Sequence, residues 1–212
     1  MGSLIRIGAL TLLLIGASPL AEEPFGVATV PAAQDSALSV IWRDLQPAMR
    51  ADEQTVAACR ADPACGSPGA LRFIAIVDGA KLHEGLTRIG QINRALNLAI
   101  PAQRDGMGTW KSPLAALVSP GDCKSYAVTK YAALAAAGIA PDDRRLVIVW
   151  EKARPAETHL IVAVRVDRRW LILDSRSLIM TESTGATYQP LQIIDHSGVR
   201  IVPSFASGRQ GR

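Results

Sequence analysis

Residues 121–141 read GDCKSYAVTKYAALAAAGIAP. The stretch has a start, a body and a stop. Asp122 is a strong helix N-cap, because its short carboxylate can accept from the free N–H groups of a first turn. Gly138, followed by Pro141, is a stop. Between them Ala127, Tyr131 and Leu134 form the stripe to be buried. The pattern predicts a helix that opens at Cys123, and this helix divides the chain into two unlike halves.

Downstream the pattern is extended. RRLVIVW (144–150), THLIVAVRV (158–166) and RWLILDS (169–175) are rich in Val, Ile and Leu, as strands are. YQPLQIID (188–195) and GVRIV (198–202) add edge strands. Upstream the pattern is helical. Ser36 caps ALSVIWRDL (37–45), and Pro47 then interrupts it. EQTVAACR (53–60) is a second short helix. SPGALRFIAIVDGAKL (67–82) has a start signal at Ser67-Pro68. EGLTRIGQINRALNLAI (84–100) places Leu86, Ile89, Ile92 or Asn93, Leu96 and Ile100 at helical spacing. Residues 101–121, with their glycines and prolines, are a loop. Trp110 within it packs over a cleft or covers the core, the core being the commoner role of a tryptophan. The expected fold is α+β, a helical N-terminal half packed on an antiparallel sheet.

The bulk numbers fit one domain. The chain has 212 residues, 49% hydrophobic and 20% charged, which is enough to bury a core. Its net charge of +4 is spread along the sequence, and aromatics make up only 5%. A nucleic-acid binder gathers its positive charge and adds stacking rings, so that class is set aside.

The first residues, MGSLIRIGALTLLLIGASPLAEEP, carry one Arg, an apolar run and then small residues. That is the layout of a secretory signal peptide. The run from Ile7 to Ile15 is shorter than the roughly 20 residues a bilayer span needs. An uncleaved short anchor is the alternative. The expected organisation is a signal peptide over 1–21, a linker over 22–35, one folded domain over 36–204 and a disordered tail over 205–212. Periplasmic or secreted location follows, and with it an oxidising compartment. There Cys59 and Cys65, in ACRADPACGSP, are expected to form a local disulfide. A metal reading fails for want of a second pair or a nearby His.

Cys123 is left unpaired. At a helix start, free N–H groups and the helix dipole favour its thiolate. A buried structural cysteine would show the same local sequence, so both readings stand at this point. A nucleophile needs a base, and the base needs an orienting group. Of three histidines, His83 reads as surface and His196 as a turn residue. His159 opens an apolar strand, and the next strand ends in Asp174. A two-residue turn within Asp167-Arg168-Arg169 puts His159 and Asp174 on one face of the hairpin; a three-residue turn puts them on opposite faces.

The order Cys, His, Asp, with PGDCKSYAVTKYAALAAAGI, HLIVAVRVDRRWLILDS, YQPL, CRADPAC, RIGQINRALNLAI and TWKSPL, resembles the bacterial transglutaminase-like cysteine peptidases, relatives of papain-type enzymes. The resemblance spans roughly residues 40–195. It implies a transglutaminase-like core with Cys123 as nucleophile, His159 as base and Asp174 as orienting acid. It further implies a protein or peptide substrate, in some members a large cell-surface adhesin cut between small residues, and control by an inner-membrane protein. An amidase or acyltransferase with the same three residues, and a peptide-binding module without turnover, are the alternative functions. Family members hold calcium through acids flanking the cysteine. Here Asp122 is kept, but Lys124 and Ser125 replace the acids that follow. An ammonium opposes a divalent ion, so no cofactor is expected, calcium at Asp122 being the alternative that the resemblance implies. Ser175 replaces the family's Asn after the acid, and Thr158 stands where an acid often precedes the His.

Overall fold

The computed structural model describes residues 23–62, 64–103, 109–151 and 157–203. Five helices precede or adjoin the main sheet: α1 (Ala37–Ala61), α2 (Pro68–Lys81), α3 (Gly85–Ala99), α4 (Pro113–Val118) and α5 (Cys123–Ala136). Seven strands follow the order β1-β7-β6-β2-β3-β4-β5, every neighbouring pair antiparallel. They are β1 (Val30–Pro31), β2 (Arg144–Glu151), β3 (Thr158–Val166), β4 (Arg169–Leu173), β5 (Thr181–Glu182), β6 (Tyr188–Asp195) and β7 (Gly198–Ile201). The architecture is the expected α+β one.

The caps lie where the sequence puts them. Ser36 Oγ accepts from the Ser39 N–H (3.3 Å), Ser67 Oγ from Ala70 (3.3 Å) and Asp122 Oδ1 from Lys124 (2.9 Å). Each satisfies a first-turn donor that the helix itself cannot. Gly138 follows α5 at φ 92°, the left-handed stop.

α5 is the centre of the fold. Ser125 to Tyr131 are all buried, which a helix achieves only when other elements surround it. It packs on β3 and β2 on one side and on α2, α3 and α4 on the other. The helix-facing side of the sheet contributes Leu146, Leu160, Val162, Val164, Leu171 and Leu173 to the larger core. The far side buries Val147, Val149, Ile161, Ala163, Trp170 and Ile172 in a second cluster. Because both faces of β3 are covered, its sequence reads as a continuous apolar run rather than an alternation.

Residues 101–121 are not loop throughout, since α4 occupies Pro113–Val118, and β6 and β7 lie inside the sheet, with β1 and β5 at its edges. Two further expectations need correction. Pro47 does not interrupt the first helix: α1 runs unbroken for 25 residues and absorbs EQTVAACR. Its buried stripe, Leu38, Trp42, Leu45 and Met49, continues straight past the proline. Pro47 itself is exposed, as is Arg43, whose carbonyl loses its intrahelical donor. Water can satisfy that carbonyl, and the apolar stripe offsets the roughly 3 kcal/mol that an interior proline costs. The second correction concerns residues 22–35, of which 23–35 are described. They do not run free. β1 pairs with β7, Glu23 accepts from Arg145 Nε (3.0 Å), the Phe25 N–H donates to Ser183 Oγ (3.1 Å), and Thr29 Oγ1 accepts from Arg200 Nε (2.7 Å). A strand of two residues held by scattered polar contacts leaves no periodic trace in sequence. The expectations for residues 1–21 and 205–212 lie outside the described residues.

The disulfide between Cys59 and Cys65 is present and joins the end of α1 to the approach to α2. Among the described residues no helix is long and apolar enough to cross a membrane.

Candidate active site

The α5 start is built by a close approach. Gly121 exchanges backbone hydrogen bonds with the segment after α3: its N–H donates to Pro101 O (2.9 Å), and its carbonyl accepts from Gln103 (2.9 Å). A Cβ on Gly121 would collide with the Ser125 side chain, so the turn into the helix admits only glycine without a shift. The Tyr126 hydroxyl donates to Ile100 O, a second tie to the same segment. Cys123 is thereby fixed as the first residue of the helix, half-buried, and the only cysteine outside the disulfide.

β3 and β4 are joined by Asp167 and Arg168, both with positive φ (49° and 67°). This is the two-residue primed turn that matches strand twist. The ladder runs from Val166↔Arg169 to Val162↔Leu173. Asp174 is the next residue. Continuing the register sets it opposite Ile161, two residues from His159 and on the same face. The contact is diagonal, as the turn length requires. Nε2 of His159 and Oδ1 of Asp174 lie 2.7 Å apart, both side chains buried.

Asp174 is held from three further directions. The Arg176 N–H donates to Oδ1 (3.0 Å), the Tyr188 hydroxyl donates to Oδ2, and Asn97 Nδ2 donates to the main-chain carbonyl (2.9 Å). The Tyr188 ring also sits 6.2 Å from the His159 ring, tilted by 46°.

With Nε2 committed to the carboxylate, Nδ1 is the ring atom left for the thiol. It is buried and has no hydrogen-bond partner among the described residues. The electrostatics match. Burial pushes the Cys123 thiol up, but its hydrogen-bonding interaction with His159, the Leu160 N–H and the imidazolium charge outweigh that and bring it below the ordinary value. Burial pushes His159 down, yet Asp174 and Cys123 together raise it to about 9. Burial also raises Asp174, but His159, Tyr188 and the Arg176 N–H hold the carboxyl well below the usual range. The Tyr188 hydroxyl is pushed up by burial and by the hydrogen bond it gives to Asp174. At neutral pH these directions favour a thiolate beside an imidazolium.

The structure thus pairs His159 with Asp174 by a hydrogen bond and sets Cys123 within electrostatic reach of His159. The other two histidines stay apart: His83 follows α2, and His196 is half-exposed in the β6–β7 turn, with Nδ1 3.5 Å from Asp142. Trp110 packs, half-buried, against the helix-side core. Sequence reasoning missed Tyr188 and Asn97 as partners of Asp174. Neither lies at a motif distance from the acid, and only the folded register and the α3 packing unite them.

Asp122 offers little to a metal ion. Its Oδ1 caps Lys124, and its Oδ2 is ion-paired with the Lys124 ammonium. The cation that this carboxylate balances is carried by the chain itself. The residues present do not fit a hard divalent ion, which takes six to eight oxygen ligands rich in carboxylate.

A helix-start thiol coupled to a strand imidazole and an orienting carboxylate, on helices packed over an antiparallel sheet, defines the papain-like class of thiol enzymes. Within it, residues 73–198 match the family model of the bacterial transglutaminase-like cysteine proteinases, and the chain belongs to that family. It is a transglutaminase-like cysteine peptidase. Among solved structures, LapG of Legionella pneumophila is similar at 20% identity, covering 71% of this chain and 87% of that one, with a TM-score of 0.57. Its calcium-bound form (20% identity, 72% and 88% covered) and its EGTA-treated form (20% identity, 71% and 84% covered) give the same TM-score of 0.57. At that identity the likeness is one of fold. No curated protein matches the chain.

Proposed function

We propose that this peptidase is exported to the periplasm and cuts a peptide bond of a protein substrate through an acyl-enzyme formed on Cys123. The observation that carries the proposal is the coupling of Cys123, His159 and Asp174, with the thiol shifted down and the imidazole shifted up. The Cys123 thiolate attacks the carbonyl carbon. The backbone N–H of Cys123, at the start of α5, is one donor to the oxyanion. The carbon–nitrogen bond breaks as His159 gives its proton to the leaving amine. Water then attacks the thioester, with neutral His159 taking its proton, and the acid product leaves a thiolate and an imidazolium. Asp174 keeps the imidazole in the tautomer and orientation that both steps need. Export is supported by the pattern of residues 1–21, and a cell-surface protein as substrate by the family resemblance, as is an inner-membrane regulator.

The test is alkylation and turnover together. The chain from Glu22 onward should react with iodoacetamide at Cys123 below neutral pH, faster than a free cysteine does. It should cleave an unfolded protein substrate, and Cys123→Ala should abolish cleavage while keeping the thermal transition. A Cys123 that alkylates with the pH profile of an ordinary thiol would refute the nucleophile.

A further inference from the structure

β4 ends at Leu173, so Asp174 stands one residue beyond the ladder that could fix it. Helix α3 takes over. Asn93 and Asn97, one turn apart on one face, reach the turn that carries the acid. Asn97 Nδ2 donates to the carbonyls of Asp174 and Ser177 (2.9 Å each), and Asn93 Nδ2 to those of Ser177 (3.2 Å) and Leu178 (3.4 Å). The backbone at 174–178 is therefore held from a helix rather than from the sheet.

These amides are only half used: Oδ1 of Asn93 and Oδ1 of Asn97 are both buried with no donor among the described residues.

We propose that Asn93 and Asn97 form a buried clamp that positions Asp174 by tying its turn to α3. The proposal rests on the peptidase reading for its consequence, which is the placement of the acid against His159. They are positioning residues, because they touch Asp174 or its turn and not the reacting atoms. Misplacing a catalytic group by about 1 Å costs on the order of a hundredfold in rate.

The experiment uses the chain from Glu22 onward, with Asn97→Leu and Asn93→Leu, which keep bulk and remove the polar atoms. Cys123 alkylation by iodoacetamide is followed against pH, and amide hydrogen exchange is read at 176–178. With the clamp broken, the alkylation inflection moves up by about one unit toward that of a free thiol. Exchange at 176–178 rises, and kcat/KM falls about tenfold to a hundredfold with KM unchanged. Folded variants with wild-type inflection and wild-type exchange would overturn the clamp. If Asn97→Leu fails to fold, Asn97→Ala carries the same readouts. A wild-type thiol that alkylates like a free cysteine would count against the peptidase reading alone, since exchange at 176–178 in the variants still decides the clamp.

Discussion

His159 carries the sharpest consequence at the scale of single residues. Its pKa is raised from 6.5 to about 9, and the form that its leaving-group step requires is the protonated one. The rate should therefore hold through neutral pH and fall as pH rises through about 9. On the acid side it should fall as the thiolate takes up a proton, below the ordinary cysteine range. Asp174→Asn removes the largest of the interactions that raise the imidazole, so the basic limb should move toward about 6.5. The same change should lower kcat by about a hundredfold through the lost orientation, less than His159→Ala, whose loss should approach that of Cys123→Ala because the residues act as a unit. A kcat/KM profile of Asp174→Asn with its basic limb still near 9 would contradict the assignment. The places of Cys123, His159 and Asp174 in the fold were legible in sequence because each is tied to a local signal: a capped helix start, a strand start, and a strand end set by turn length. Tyr188, Asn93 and Asn97 carry no such signal. Their link to Asp174 spans tens of residues for the two asparagines and exists only after α3, β4 and β6 have packed.

Among the elements, α5 and the β3–β4 hairpin were readable because cap, stripe, stop and turn chemistry agree. α1 was misread at Pro47 because a local rule met a tertiary one. The proline's cost is fixed, whereas the gain from Leu38, Trp42, Leu45 and Met49 depends on partners that the local pattern does not name. The N-terminal strap was misread because a two-residue β1 draws its order from β7 and from side chains on remote strands. The disulfide belongs to this scale as well. Cys59 and Cys65 are six residues apart, so the loop closed is short and the expected contribution is about 2 kcal/mol. It braces the α1–α2 connection, while the active-site residues sit on α5, β3 and the turn after β4. The double variant Cys59→Ala with Cys65→Ala should lower the thermal midpoint by a few degrees (about 2–4 °C per kcal/mol at this size) and leave kcat/KM unchanged. Loss of turnover in the still-folded double variant would show that the brace reaches the site.

For the whole molecule, charge decides whether the start of α5 can receive a divalent ion. The fold is shared with LapG at a TM-score of 0.57, and LapG is known in calcium-bound and EGTA-treated states. In this chain the carboxylate before the nucleophile is already neutralised by Lys124, two residues on, and capped by its own helix. A divalent ion arriving there would have to displace an ammonium and would gain one carboxylate in place of the several that calcium favours. With Lys124 in place of an acid, the local charge differs by two units, from −1 to +1. The chain's overall charge of +4 adds no compensating attraction. A site that is permanently charge-balanced from within gives the α5 start the same structure whether or not calcium is present. Calcium and EGTA should therefore leave both the thermal midpoint and the alkylation rate of Cys123 unchanged, and titration calorimetry should register no binding in the micromolar range. Micromolar binding that disappears in Asp122→Ala would sink this prediction. It would mean that Lys124 yields its place and that the ion pair holds the site shut only until the ion arrives.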